Sequence, residues 1–279
     1  MIAETASRTA LMVAAYRARA TRRPTPVCQD EWAHGLAGAL GLELSVAFDR
    51  HFPHMELWIG LRTAYLDRQI AAGIARGWDQ VVLLGAGFDT RAARLARAGV
   101  TFYEVDHPAT QKEKRGRLAE LSGYPLEAAR MVACDFESGD DFVDKLVDTG
   151  FAADRPAVVV WEGVTPYLTE PAVRATASRV AAALHPASVL LFDFVGKRIA
   201  EGERLREKDR GVRDEVSGMG EPIRWGSNDP IPLLHEAGFR HVLTLTFDQI
   251  ALALTGTYER AREFRFQSMC AASRATELF

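Results

Sequence analysis

Cysteine is scarce: Cys28, Cys134 and Cys270 are the only three in 279 residues, and they lie far apart. With no C-x-x-C spacing they suggest neither a metal framework nor disulfide staples, so a reducing cytoplasm is the expected setting and no metal site is expected. Long hydrophobic runs are missing as well. No stretch reaches the length that spans a bilayer, and the segment from Met1 to Thr9 carries Glu4 and Arg8 without the apolar centre of a secretory signal. Charge of one sign is also lacking. A formal net charge of −3 gives no global electrostatic pull toward nucleic acid, so neither nucleic acid nor a membrane is an expected partner. There is no internal repeat and no low-complexity tract. With 48% hydrophobic and 25% charged residues, the remainder has ordinary globular composition and is long enough to bury one sizeable core.

The most informative stretch is Val81-Val82-Leu83-Leu84-Gly85-Ala86-Gly87-Phe88-Asp89-Thr90-Arg91. Its four apolar residues read as a short buried strand of a parallel sheet. Gly85 and Gly87 then turn the chain with no Cβ in the way, and Asp89 or Thr90 can cap a helix from Arg91 to Ala98. A second strand, Thr101–Asp106, ends on a carboxylate, where such a sheet can accept hydrogen bonds from a ribose diol. The dinucleotide fingerprint G-x-G-x-x-G is incomplete, because Thr90 occupies its third glycine position. No Tyr-x-x-x-Lys pair accompanies it. A glycine turn with a ribose acid but no pyrophosphate glycine suits S-adenosylmethionine better than a nicotinamide cofactor.

Helical patterns come first: Thr5–Ala20, Gln29–Leu40 and Met55–Arg76, with no convincing strand among them. From Val81 strands and helices alternate, as in a parallel sheet. The strands are Val81–Gly85, Thr101–Asp106, Arg130–Cys134, Ala157–Trp161 and Ser188–Phe194. The helices are Arg91–Ala98, Pro108–Leu121, Asp140–Asp148 and Glu170–Leu184. A charged stretch, Lys197–Glu215, reads as a solvated helix face. A helix at Pro232–Ala237 and strands near Arg240–Phe247 and Phe264–Ala271 would finish the sheet, with an antiparallel edge as one way to do so. The expected architecture is therefore α/β: a doubly wound, mostly parallel seven-stranded sheet with an N-terminal helical cap. It divides into a cap over 1–77, a cofactor-binding core over 78–196, and a substrate-side segment over 197–279.

Ligands bind at strand carboxyl ends in such sheets, which draws attention to Asp135-Phe136 after the third strand and Glu162 after the fourth. An Asp beside an aromatic can bond an adenine amino group while its neighbour packs on the ring; a turn Asp before a core Phe explains the pair equally well. A carboxylate emerging from a buried strand is costly unless it is paired, so Glu162 suggests a site that faces a cation.

Together these residues resemble the leucine carboxyl methyltransferase family. The resemblance rests on Leu83–Arg91, on Tyr103-Glu104-Val105-Asp106-His107-Pro108, on Asp135-Phe136, and on Glu162-Gly163-Val164-Thr165-Pro166-Tyr167-Leu168. Upstream, Arg62-Thr63-Ala64-Tyr65-Leu66-Asp67 matches that family's R-x-x-Y-x-D element, and Thr9–Ala18 resembles the first helix of its bacterial branch, which includes polyketide carboxyl methyltransferases of the tetracenomycin type. The likeness runs from Thr5 to about Phe194 and is thin beyond it. It implies a Rossmann-like class I methyltransferase fold using S-adenosylmethionine. By that resemblance Arg62 would hold the cofactor's carboxylate, Gly85, Ala86 and Gly87 would run beneath it, and Asp106 would take the ribose hydroxyls. Asp135 and Phe136 would frame the adenine, and Glu162 would lie near the methionine amino end. Asp89 and Arg91 belong to the motif, although capping and turn stabilisation explain them about as well.

The resemblance implies an O-methyltransferase that acts on a small-molecule carboxylate in secondary metabolism. A carboxylate is ionised at neutral pH and needs no general base. A phenol or alcohol acceptor would need one, and His51 and His54, just before the Arg62 element, are the candidates. Tyr167 is a candidate for lining the site. Trp225 and Asn228 lie where family members build substrate contacts. Methylation of a protein carboxyl terminus fits less well, and a non-catalytic protein on the same fold is a further alternative. The acceptor and the oligomeric state are not written in the sequence.

Overall fold

The strand expected at Val81 forms β1, Gln80–Leu84, at the centre of a sheet in the computed structural model. The structure describes residues 7–136, 140–203, 205–257, 266–275 and 278. Five parallel strands carry the core: β1, β2 (Thr101–Asp106), β3 (Ala129–Ala133), β4 (Val158–Trp161) and β5 (Val189–Val195). Two more close the sheet, β6 (His241–Thr246) and β7 (Gln267–Ser273), in the order β3-β2-β1-β4-β5-β7-β6. β7 lies between β5 and β6 and runs antiparallel to both. The doubly wound, mostly parallel seven-stranded sheet is thus as expected, with its antiparallel strand one place inside the edge. Of the expected strand Phe264–Ala271, residues 264 and 265 lie outside the described ones.

Each central strand is buried on both faces, and its alternate residues enter different cores. Val81, Leu83, Val158, Val160, Val189 and Leu191 join a cluster with Tyr16, Trp58 and Leu66 from the N-terminal helices. Val82, Leu84, Val159, Trp161, Leu190 and Phe192 join the other, with Leu146, Val173, Val180 and Leu234. The first face is covered by α1 (Arg8–Thr21), α2 (Ala33–Phe48) and α3 (Met55–Ala75), so the cap and the sheet share one core. Residues 5 and 6 of the expected first helix lie outside the described ones. α2 starts and ends later than expected: Asp30 accepts from the backbone N–H of Ala33 at its start, and the chain passes Gly38 in a kink with φ +60° before the helix resumes.

Between the strands run α4 (Arg91–Arg94), α5 (Pro108–Ala119), α6 (Phe142–Asp148) and α7 (Glu170–Ala183). α4 is one turn long, shorter than the composition of Arg91–Ala98 suggests. The charged stretch after β5 divides at Gly202, which takes φ +73°, into α8 (Lys197–Glu201) and α9 (Glu207–Gly218). α10 (Ile231–Ala237) precedes β6. An unexpected helix, α11 (Phe247–Thr255), follows it and buries Phe247, Ile250 and Ala251 against α3. No helix among the described residues is long and apolar enough to cross a membrane.

Candidate active site

The carboxyl ends of β1 to β5 open on a cavity of about 260 Å³ roofed by α1, α3 and α9. β1 ends in a turn in which the N–H groups of Gly85 and Ala86 both donate to the Val105 carbonyl, at 2.7 and 3.2 Å. Gly85 has φ +67°, and a Cβ there would stand 2.3 Å from Val164 Cγ2. Only glycine satisfies both the conformation and the close approach. Asp106, at the end of β2, accepts from the backbone N–H of Gly87 and, at 2.6 Å, from that of His107. Burial pushes its carboxyl above the ordinary aspartate value, and those two N–H groups pull against the rise.

A buried ion cluster forms the opposite wall. Arg62 of α3 reaches between two strand ends, donating from Nε to Glu162 at 2.7 Å and from Nη1 to Asp193 at 2.8 Å. Asp193, on β5, also accepts from the Gly163 N–H at 2.5 Å. The second Glu162 oxygen takes a bond from Arg91 Nη1 at 2.5 Å, and Arg91 is held in turn by Asp67 at 2.6 Å and by Asp89. Burial works against ionisation of Glu162, but Arg91 and then Arg62 prevail and keep its carboxyl below the usual glutamate value. For Asp193 burial prevails over Arg62, and its carboxyl is raised.

Arg62, Gly85, Ala86, Gly87, Asp106, Asp135, Phe136, Glu162 and Tyr167 all line this one cavity. Asp135 lies 3.9 Å from His107 Nε2, and the Phe136 ring packs on Phe142 with centroids 5.9 Å apart. Burial raises the Tyr167 phenol, so it stays protonated. His51 and His54 are not among the lining residues, contrary to the expectation that they could face the pocket. His51 meets Glu215 of α9 at 3.7 Å and packs on Gly211, while His54 precedes the first turn of α3. Trp225 is likewise elsewhere, in the core beside Phe194, and Asn228 accepts from the backbone N–H of Lys197. The loop just before them does reach the cavity, through Glu221, Ile223 and Arg224.

Sequence reasoning passed over Asp193, although a carboxylate in the middle of Leu-Leu-Phe-Asp-Phe-Val carries the same signal that singled out Glu162. It also passed over Asp67 as an ion partner, and over Val212 and Val216 of α9 as wall residues. Among the described residues no group of histidine, cysteine and carboxylate side chains is placed to hold a metal.

The wall chemistry fits S-adenosylmethionine. A guanidinium suits its carboxylate, carboxylates suit its ammonium and sulfonium, and a glycine turn beside a strand-end acid suits its ribose. Comparison with known proteins agrees. The family model for leucine carboxyl methyltransferase matches residues 10–181. A Mycolicibacterium smegmatis protein is 35% identical over 226 residues, covering 76% of this chain and 75% of its own length. One from Mycobacterium avium is 32% identical over 264 residues, covering 87% and 85%. Both bear the name "Putative S-adenosyl-L-methionine-dependent methyltransferase". Two solved structures share the fold: a DUF574 family protein from Streptomyces avermitilis (TM-score 0.66, 13% identity, 97% and 98% of the two chains) and a methyltransferase-named protein from Thermobifida fusca (0.65, 13%, 99% and 97%).

Proposed function

The chain belongs to the leucine carboxyl methyltransferase family, as an S-adenosylmethionine-dependent methyltransferase, and from that premise we propose that it forms a methyl ester on a small-molecule carboxylate. In this reading Arg62 grips the cofactor's carboxylate, Glu162 faces its ammonium group, Asp106 accepts from the ribose, and Asp135 and Phe136 hold the adenine. When bound, the cofactor supplies an electrophilic methyl group on sulfur. The chain's task is then to seat the acceptor carboxylate in line with that methyl, keep water away and strip the carboxylate of solvent.

The observation that carries the choice of acceptor is the composition of the cavity's far end. Met12, Val13, Met55, Val212, Val216 and Ile223 make it apolar, and the one histidine lining the cavity among the described residues, His107, stands beside Asp106 at the cofactor end. An acceptor that is already ionised needs no base there. The protonated Tyr167 phenol is suited to donate a hydrogen bond to it, and Arg224 adds positive charge at the rim. An acid with an apolar body and one carboxylate fits better than a peptide, whose backbone amides would find few partners among those side chains. Esterification of such an acid is consistent with a role in secondary metabolism, with no nucleic acid or membrane partner.

A hydroxyl acceptor is the second reading. It is favoured by one feature, the Glu221 carboxylate, which lines the same end while accepting from the Thr9 hydroxyl. The test is transfer from methyl-labelled S-adenosylmethionine to a panel of aromatic and aliphatic acids and the matching alcohols and phenols. Label that mild base releases as methanol is expected. Base-stable ether products, with the acids untouched, would transfer the assignment to hydroxyl chemistry.

A further inference from the structure

We propose that Arg91, which does not line the cavity, is a positioning residue for cofactor binding: its guanidinium fixes the orientation of the Glu162 carboxylate. The proposal rests on the reading above in which Glu162 meets the cofactor's ammonium group.

Arg91 is only 2% exposed and lies behind the cavity wall. Three carboxylates from three parts of the chain converge on it. Asp67 of α3 accepts from Nε at 2.6 Å, and Asp89 of the glycine turn accepts from Nη1 and, at 2.6 Å, from the Arg91 backbone N–H. Glu162 accepts from Nη1 at 2.5 Å. Asp67 is braced from its other side by Arg94, at 2.6 Å. Of these carboxylates Glu162 and Asp89 line the cavity, and Glu162 is the one that the reading above sets against the cofactor's ammonium group.

The two Glu162 oxygens have different guardians. Arg62 holds Oε1 but shares itself with Asp193, whereas Arg91 holds Oε2. With both oxygens anchored the carboxylate cannot rotate; with Arg91 gone it pivots on a single bond to a group that has another partner. A role in packing alone explains this poorly. Among the described residues buried Arg91 Nη2 finds no hydrogen-bond partner, and a buried ion cluster is commonly replaceable by apolar side chains without loss of stability. The charges point the same way. Arg62, Arg91 and Arg94 face Asp67, Asp89, Glu162 and Asp193, leaving one carboxylate in excess, which complements the net positive methionine end of S-adenosylmethionine.

The charged and titratable groups around Glu162 are Arg62 and Asp67 of α3, Asp89 and Arg91 after β1, Asp193 of β5, and Tyr167 in the turn after β4. Burial and Asp89 work to raise the Glu162 carboxyl, while Arg91 and Arg62 lower it. Removing Arg91 leaves burial opposed by Arg62 alone. Glu162 would then take up a proton at a higher pH than in the wild type, and the neutral acid would no longer attract an ammonium group.

The experiment is calorimetric titration of S-adenosylmethionine into the wild type, Arg91→Gln, Glu162→Gln and the double variant, between about pH 8 and pH 5. Arg91→Gln is expected to weaken binding about ten-fold near neutrality. Its loss should deepen as the pH falls, starting at a higher pH than any loss in the wild type. Glu162→Gln should lack that pH step, and the double variant should bind no worse than Glu162→Gln alone, because Arg91 acts through that carboxylate. Unchanged affinity in Arg91→Gln, or losses that multiply in the double variant, would overturn the proposal. Should Arg91→Gln not fold, Arg91→Lys keeps the charge without the fork, and a smaller loss with the same non-additivity is expected. Failure of the wild type to bind would overturn the methyltransferase reading itself, and this proposal with it.

Discussion

Individual side chains at this site are held by more than one partner, so single substitutions have directional consequences. Gly85 combines a positive φ with a close neighbour, Val164, whose branching at Cβ restricts its rotamers. Gly85→Ala should cost about 1–3 kcal/mol through backbone strain and the clash, read as a lower thermal midpoint together with weaker cofactor binding. A variant as stable as the wild type would mean that the turn is less constrained than its geometry indicates. Most of the expected site residues that line the cavity, among them Gly85, Asp106 and Glu162, sit where a strand ends, so their positions follow from the strand. Arg62 was found through its motif instead. Asp193 was not found as its neighbour, nor Asp67 as the partner of Arg91, because nothing in the spacing of 62, 67, 91 and 193 tells which of these positions touch. His51 and His54 misled because proximity in sequence to Arg62 places them in the turn before α3, not on its inner face.

At the scale of elements, β2 and α5 are joined by a pair that sequence does not disclose. Lys114, 1% exposed, donates to Glu104 at 2.5 Å, and burial still raises the Glu104 carboxyl despite that ammonium. Lys114→Met should therefore destabilise by about 3–5 kcal/mol, while Glu104→Leu combined with it should recover most of the loss. Denaturant midpoints of the three proteins decide the matter, and equal midpoints for the single and double variants would refute it. α9 offers a second case. Its inner face is cavity wall, and the loop after it is tied to α1 by the Thr9 hydroxyl donating to Glu221. Thr9→Val should raise KM for the acceptor and speed proteolysis near Gly220, with affinity for S-adenosylmethionine unchanged. A rise in the cofactor's dissociation constant instead would place this tie at the wrong end of the cavity. Strands were legible because two-sided burial leaves an unbroken apolar run. α11 was not, although Asp-Gln-Ile-Ala-Leu-Ala-Leu carries a helical apolar stripe and the Gln249 side chain accepts from the Thr246 N–H at 2.8 Å. The residues Ile250, Ala251, Leu252 and Leu254 fit a strand's end nearly as well as a helix's face.

For the whole molecule, the cap and the sheet are packed as a unit: α1 to α3 and the central strands share a core, and the ion cluster spans both. Its carboxylates link that unit to pH. Asp89 has its carboxyl depressed in the fold because Arg91 outweighs burial together with more distant cations. A depressed folded value means that the stabilisation is complete above the ordinary carboxylate range, about pH 4, and is lost as pH falls through the lower folded value. Asp89→Asn should thus be less stable than the wild type at neutral pH, with the gap narrowing in acid. A gap constant down to strong acid would exclude the charge as its origin. The overall class was legible because alternating strand and helix patterns with a glycine turn admit few topologies. The placement of β7 between β5 and β6 was not, because strand order depends on which edge a late segment reaches, and that is settled by tertiary packing.

The central claim is that one cavity, between the N-terminal helices and the carboxyl ends of the strands, binds S-adenosylmethionine through Asp106 and its neighbours. Calorimetric titration of S-adenosylmethionine into the wild type and into Asp106→Ala, with NADH as a control ligand, tests it most directly. One-site binding to the wild type, strongly weakened in the variant and absent for NADH, is the predicted result. Equal binding by both proteins, or binding of NADH in place of S-adenosylmethionine, would contradict it.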